Sequence, residues 1–278
     1  MDFESYFARI GHHGPRSVNL DTLNAIIRCH VEAIPFENLS VLLGEPISLF
    51  IDDVAKKIIT HRRGGYCFEH NTLLLHVLSE LGFSVTVLSA RSRYQVPDRF
   101  GLPRTHMALR VELEGQSYLV DGGFGALSPT CALTLTPSVE QATPHETRRL
   151  VLEGQWNGLT MRSPDAGIVH EAKLGDTWHA LYEFTLEPMP PIDREMGNWF
   201  TSSHPNSHFK SKLMAARATV GGRVTLMNRD LTHRHRDGSS QTRRIDTHNE
   251  LLDILDHEFN IQLAPETRIT CAGLAGLA

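Results

Sequence analysis

The chain has 278 residues, 41% hydrophobic and 21% charged, the ordinary composition of a globular protein long enough to bury a full core. A formal net charge of -5 argues against a nucleic-acid surface, and the basic runs at Arg62–Arg63, His233–Arg236 and Arg243–Arg244 are short enough to read as solvated faces. No apolar run approaches the roughly 18 residues of a membrane span, and the start, MDFESYFARIGHHG, lacks the apolar centre of a secretory signal.

In chain order, the N-terminal part reads as helical. Leu23, Ile26, Ile27 and Val31 follow helical spacing behind Asp21, which reads as the cap, and Pro35 ends the segment. Residues 51–60 repeat the pattern with Val54, Ile58 and Ile59 until Gly64–Gly65 stop it. A third helix is predicted from about Cys67 to Leu81, on Leu74, Leu75, Val77 and Leu78, with Gly82 as its stop. From Ser84 the period changes. SVTVLSARSRY, THMALRVELEG, QSYLVDGG, RRLVLEG, LTMRS and TWHALYEFTL are short strand candidates between turn residues, predicting an antiparallel sheet or barrel to about Leu186. Pro188, Pro190 and Pro191 then mark a linker. Beyond it the pattern predicts a helix over 208–218, a hairpin at Asp237–Gly238, and a last helix, THNELLDILDHEF, opened by the capping-box pair Thr247 and Glu250. A helical front, a β middle and a mixed tail make an α+β architecture.

The four cysteines, at 29, 67, 131 and 271, show no paired spacing, so free thiols in a reducing, cytoplasmic setting are expected. A free cysteine is most often a small buried hydrophobe. Among 16 histidines, His70 and His76 also lie close enough to Cys67 to suggest metal ligands on one helix. No second Cys/His pair has structural-zinc spacing, so no metal is expected. Position favours chemistry at Cys67. Gly64–Gly65 permit close backbone approach, and a thiol at a helix N-terminus faces unpaired N–H groups and the positive end of the dipole. Such sites lower thiol pKa values from ~8.5 into the ~3.5–7.5 range.

A nucleophile needs a base and an orienting group. THMALRVEL places Met107, Leu109, Val111 and Leu113 on one face, with His106, Ala108, Arg110 and Glu112 on the other. If the Glu114–Gly115 turn sets Leu113 opposite Gln116, Val111 faces Tyr118 and Leu109 faces Val120, and the apolar face is continuous. Asp121 then lies opposite Ala108, diagonal to His106 on the same face. A one-residue slip would put Asp121 among leucines and valines, where an unpaired carboxylate is costly. The pattern still leaves open an ordinary hairpin with His106 and Asp121 both at the surface.

RGGYCFEHN, THMALRVEL and YLVDGGFG, in that order, resemble the cysteine, histidine and aspartate motifs of the arylamine N-acetyltransferases. IPFENLSVLLG and GNWFTSSHPNSHF resemble two further segments of that family, so most of the chain is covered; the last stretch matches least distinctively. The resemblance implies three parts: 1–83, a helical domain carrying the nucleophile; 84–187, an antiparallel β-barrel carrying the histidine and aspartate; and 188–278, a linker and an α/β lid. The first two are similar to the core of the cysteine proteases. By motif position Cys67 is the acyl-accepting nucleophile, His106 the base and Asp121 its orienter. The implied reaction is ping-pong, with acetyl-CoA as co-substrate, no bound cofactor, and an arylamine or arylhydrazine as acceptor. The same resemblance makes Thr105, Gly123 and Phe124 candidate substrate contacts, although Phe124 reads equally as a core aromatic. It implies a Glu37–Arg63 ion pair beneath the site, and places Trp199 and Phe200 at the cleft entrance or in the core. A homodimer is compatible with the family; nucleic acid and membrane partners are not expected.

Rival readings share the triad. A Cys-His-Asp thiol hydrolase uses water where the transferase uses an amine, and a triad activates the thiol without choosing the acceptor. A family member with another acyl donor is a further alternative. The PFENL and GGFG segments favour the transferase. Gly122 stands where the family often carries a larger apolar residue, which predicts a looser loop after Asp121. His70 reads as support for the helix start or as a surface residue.

Overall fold

The structure, a computed structural model, describes residues 1–96, 102–152 and 167–278, and the backbone of 155–156 and 159–160. Helix α1 (Phe3–Ile10) is capped by the Asp2 carboxylate, which accepts from the N–H groups of Glu4 and Ser5. Helix α2 (Leu20–Ala33) is capped by Asn19 in place of Asp21: the Asn19 side chain accepts from Thr22 N at 2.8 Å. Asp21 lies inside the first turn, where its charge complements the dipole. After β1 (Phe36–Glu37) and the one-turn α3 (Leu39–Leu42), α4 (Ile51–Ala55) runs into a π-helical turn at Lys56–Thr60. Helix α5 (Cys67–Glu80) has the limits its spacing predicts.

Strands β2 (Ser84–Ser92), β3 (His106–Leu113), β4 (Gln116–Val120), β5 (Leu133–Thr134), β6 (Arg148–Leu152), β9 (Ile168–Leu174) and β10 (Thr177–Pro188) form an antiparallel sheet in the order β5-β4-β3-β2-β10-β9-β6. It curls into a nearly closed barrel. A small hairpin, β7 (Gln155–Trp156) and β8 (Leu159–Thr160), covers the start of LTMRS; the rest of that segment lies outside the described residues. The β3–β4 register is the predicted one, with Leu113, Val111 and Leu109 opposite Gln116, Tyr118 and Val120. Each β3 face has its own core. Met107, Leu109 and Val111 pack with Ile26, Ile27, Leu74 and Val77 of the helices. Ala108 lies in the barrel interior with Leu88, Leu119, Leu181 and Phe184. Full burial of such side chains contributes ~1.5–3 kcal/mol each.

The tail departs from expectation. The proline cluster starts helix α6 (Pro191–Ser203) with Pro at its first position, where a fixed φ and a missing N–H are tolerated. The helix expected over 208–218 is a 3-10 turn, His208–Lys210, followed by strand β11 (Met214–Thr219). β11 pairs with β1, Phe36 opposite Ala216, and tertiary pairing overrides the helical propensity of its alanines. The second sheet runs β1-β11-β12-β13-β14, with β12 (Gly222–Met227), β13 (Asp230–His235) and β14 (Ser240–Arg244). The expected Asp237–Gly238 hairpin joins the last two, with Gly238 at φ 87°. Helix α7 (His248–Phe259) is capped by Thr247 and covers Val224, Leu226 and Leu231 with Leu251, Ile254, Leu255 and Phe259.

Candidate active site

The turn before α5 brings Cys67 to its position. A Cβ on Gly64 would lie 1.9 Å from the Pro35 carbonyl oxygen, and one on Gly65 2.8 Å from Glu69, so the chain passes where only glycine fits. Gly65 also accepts from Glu37 N at 2.7 Å, which ties the turn to β1. The Glu37–Arg63 pair is formed beneath it, with Arg63 Nη2 2.9 Å from Glu37 Oε1. Glu37 is fully buried. Burial raises its pKa, but Arg63, Lys57 and the Leu39 N–H outweigh that and hold it below the usual carboxylate range. Cys67 is thus fixed as the first residue of α5, buried, with Sγ 3.6 Å from the Thr105 carbonyl oxygen.

His106 opens β3 and Asp121 follows β4, so the hairpin register brings them together: His106 Nε2 lies 2.7 Å from Asp121 Oδ2. Neither is at the surface; both are buried. The carboxylate accepts, so Nε2 carries the hydrogen and Nδ1 is the nitrogen left for the Cys67 thiol, which interacts electrostatically with His106. Asp121 Oδ1 also accepts from Asn71 Nδ2 at 2.9 Å and from Gly123 N at 2.8 Å. Burial disfavours the imidazolium, but the Asp121 charge and hydrogen bond, together with Cys67, push His106 up to about 10. Burial raises Asp121 in turn, and His106, Asn71 and the Gly123 N–H outweigh it and hold the carboxyl below its ordinary range. At neutral pH the pair is therefore imidazolium and carboxylate.

The loop after Asp121 is tight where a looser one was expected. Gly122 N donates to Asn71 Oδ1 at 3.0 Å, and a Cβ there would meet Leu74 at 2.6 Å. A Cβ on Gly123 would lie 2.5 Å from Cys67 Cα, so this glycine is required by the approach of the loop to the nucleophile. Phe124 is half-buried and stands edge-on to His106, ring centroids 5.1 Å apart. Tyr182 of β10 lies 4.7 Å from His106 and 5.0 Å from Phe124, so the three rings form one cluster. Thr105 borders a cleft of about 510 Å³ that also touches Ser89, Arg104, Met189, Trp199 and Phe200. Trp199 is 59% exposed, which rules out core packing for it. A second pocket, about 730 Å³ around Arg268 to Ala278, shares no residue with this site.

Sequence reasoning passed over Asn71 and Tyr182. Asn71 lies one turn beyond Cys67 within the quoted motif, and that i+4 spacing was the available signal; Tyr182 lies on a strand whose pattern says nothing of its neighbours. His70, read as helix support or surface, is fully buried beside His30. Among the described residues no three His, Cys, Asp or Glu side chains form a group able to hold a metal ion.

A buried thiol, imidazole and carboxylate in series, with the thiol on a helix and the other two on a barrel hairpin, define the class of thiol-dependent acyl-transfer enzymes. A family model described as N-acetyltransferase matches residues 19–268. An arylamine N-acetyltransferase of Mycolicibacterium smegmatis is 40% identical over 267 residues, covering 95% of this chain and 93% of that one. Its Escherichia coli counterpart is 36% identical, covering 92% and 87%. A solved M. smegmatis arylamine N-acetyltransferase superposes with TM-score 0.88 at 39% identity, over 100% of this chain and 98% of the other. The Mycobacterium marinum enzyme in complex with CoA gives 0.85 at 37%, over 94% and 93%. The chain belongs to the arylamine N-acetyltransferase family.

Proposed function

We propose that this protein moves the acetyl group of acetyl-CoA through a Cys67 thioester to the nitrogen of an arylamine or arylhydrazine. The observation that carries the reading is the buried His106–Asp121 pair, 2.7 Å apart, with His106 held as a cation by that carboxylate and by its interaction with Cys67. An imidazolium favours the thiolate as its partner, and the N-terminal end of α5 adds the positive end of its dipole. The thiolate attacks the thioester carbonyl. As the tetrahedral adduct collapses, the CoA sulfur leaves and takes the proton from His106. The neutral imidazole then removes a proton from the amine as its nitrogen attacks acetyl-Cys67, and the thiolate–imidazolium pair is regenerated. Asp121 keeps Nε2 protonated throughout, so that Nδ1 alone carries proton traffic.

Thr105, Gly123 and Phe124 are the substrate contacts in this reading. Thr105 borders both Cys67 and the cleft, Gly123 lets the loop touch the nucleophile, and Phe124 offers an aromatic face beside His106. The parts 1–83, 84–187 and 188–278 supply the nucleophile, the dyad and a cover for the cleft. The free thiols fit a reducing, cytoplasmic setting. Steady-state rates with acetyl-CoA and an aromatic amine test the scheme: parallel double-reciprocal lines are expected, and intersecting lines, the sign of a ternary complex, would contradict it.

A further inference from the structure

Two histidines outside the reaction scheme lie under the nucleophile's helix and the glycine loop. His30 of α2 and His70 of α5 are both fully buried, with His30 Nε2 2.8 Å from His70 Nδ1. His30 Nδ1 lies 3.1 Å from the Tyr6 hydroxyl, and His70 Nε2 lies 3.1 Å from the Pro35 carbonyl oxygen.

These contacts admit one proton assignment. A carbonyl oxygen only accepts, so His70 Nε2 carries its hydrogen. Burial lowers His70 to about 4, against the pull of Asp121 and Glu37 and with the help of Lys57. Burial lowers His30 as well, reinforced by His70 and Arg9. Both rings are therefore neutral at pH 7. His70 Nδ1 is then an acceptor, His30 Nε2 donates to it, His30 Nδ1 accepts, and the Tyr6 hydroxyl donates to that nitrogen. The hydrogen bonds run one way, from α1 through α2 and α5 to Pro35. A proton added to His70 Nδ1 would set two N–H groups against each other.

What the chain touches gives it a role. Pro35 O also accepts from Gly65 N at 3.3 Å, in the turn that delivers Cys67. On the other side, a Cβ on Gly122 would meet His30 at 3.1 Å, and one on Gly123 would meet His70 at 3.2 Å. The His30 ring thus packs against the Gly122 loop, and the His70 ring holds the Pro35 carbonyl to which the Gly64–Gly65 turn is tied. The pair so spans both backbone segments that bring the thiol and the dyad together.

We propose that Tyr6, His30 and His70 form a positioning chain that holds the Gly64–Gly65 turn and the Gly122–Gly123 loop in mutual register, so that Cys67 meets His106. It works with both rings neutral and in the Nε2–H tautomer. The role rests on the reading of Cys67 as acetyl acceptor; the tautomers do not.

The test has two arms. Long-range proton–nitrogen correlation spectra of the wild-type protein read the imidazole nitrogens directly. Two buried rings should be neutral Nε2–H tautomers and stay so down to about pH 5.5; a cationic or Nδ1–H state for either ring overturns the proposal. The second arm is single-turnover acetylation by acetyl-CoA without amine. In His30→Gln the amide nitrogen still donates to His70, whereas His30→Leu has no donor. His30→Leu should be slowed about tenfold with its acetyl-CoA dissociation constant changed less than about twofold, and His30→Gln should recover most of the rate. A wild-type rate in His30→Leu, or equal slowing in both, overturns the proposal. Tyr6→Phe, which deletes one oxygen, serves if His30→Leu does not fold: about threefold slowing at unchanged affinity is expected, and none overturns it. A wild-type protein that takes no acetyl group would refute the role of Cys67 instead.

Discussion

At the residue scale, the account turns on the charge of His106. Its folded pKa, about 10, lies above its ordinary 6.5, so its contribution to stability is complete below about pH 6.5 and is lost as pH rises through about 10. Asp121 is shifted the other way; its contribution is present above its ordinary 3.8 and is lost as pH falls through the lowered folded value. Denaturant unfolding of wild type and Asp121→Asn should therefore differ most between about pH 4 and 6.5, and converge above about pH 10. A difference independent of pH would contradict the ion pair. The same substitution lets the wrong imidazole nitrogen carry the proton, and acetylation should fall by roughly 10³–10⁴-fold. Stopped-flow release of CoA checks this, and retention of a tenth of the wild-type rate would count against the role of Asp121.

Among the elements, the β3–β4 hairpin was legible because two alternating strands around Glu114–Gly115 have one register that keeps the apolar face whole, and that register sets Asp121 beside His106. It was not legible that the His106–Ala108 end of the opposite face is also buried. The barrel interior that encloses it is built partly by β9, a strand whose mixed apolar and charged residues were passed over. Helix α6 hid behind its prolines, which punctuate a linker and a helix start alike. The close approach of Gly123 to α5 was equally hidden, since sequence gives a glycine's freedom and not its neighbours. Gly123→Ala forces a Cβ against the Cys67 backbone, whereas Gly122→Ala meets chiefly the end of the Leu74 side chain. Acetylation should drop at least about tenfold in Gly123→Ala and clearly less in Gly122→Ala; the reverse order in a CoA-release assay would refute the packing argument.

On the scale of the whole molecule, a buried charge network joins the barrel to the C-terminal sheet. Glu146 Oε1 lies 2.5 Å from Arg223 Nε of β12, and Glu146 Oε2 lies 2.9 Å from Arg148 Nη2 of β6. The same two guanidinium groups donate to the carbonyls of Leu127 and Ser128, just beyond Phe124. Removing the carboxylate leaves two buried cations facing each other, so Glu146→Gln should cost about 3–5 kcal/mol of unfolding free energy. Equilibrium denaturation measures it, and a loss under about 1 kcal/mol would show the network to be dispensable.

The measurement that bears most directly on the central claim is the intact mass of the protein after mixing with acetyl-CoA in the absence of amine, beside Cys67→Ala. The account predicts a gain of one acetyl group on the wild-type protein, none on the variant, and discharge of the adduct when an arylamine is added. A folded wild-type protein that gains no mass and releases no CoA, or a Cys67→Ala protein that is acetylated as readily, would contradict it.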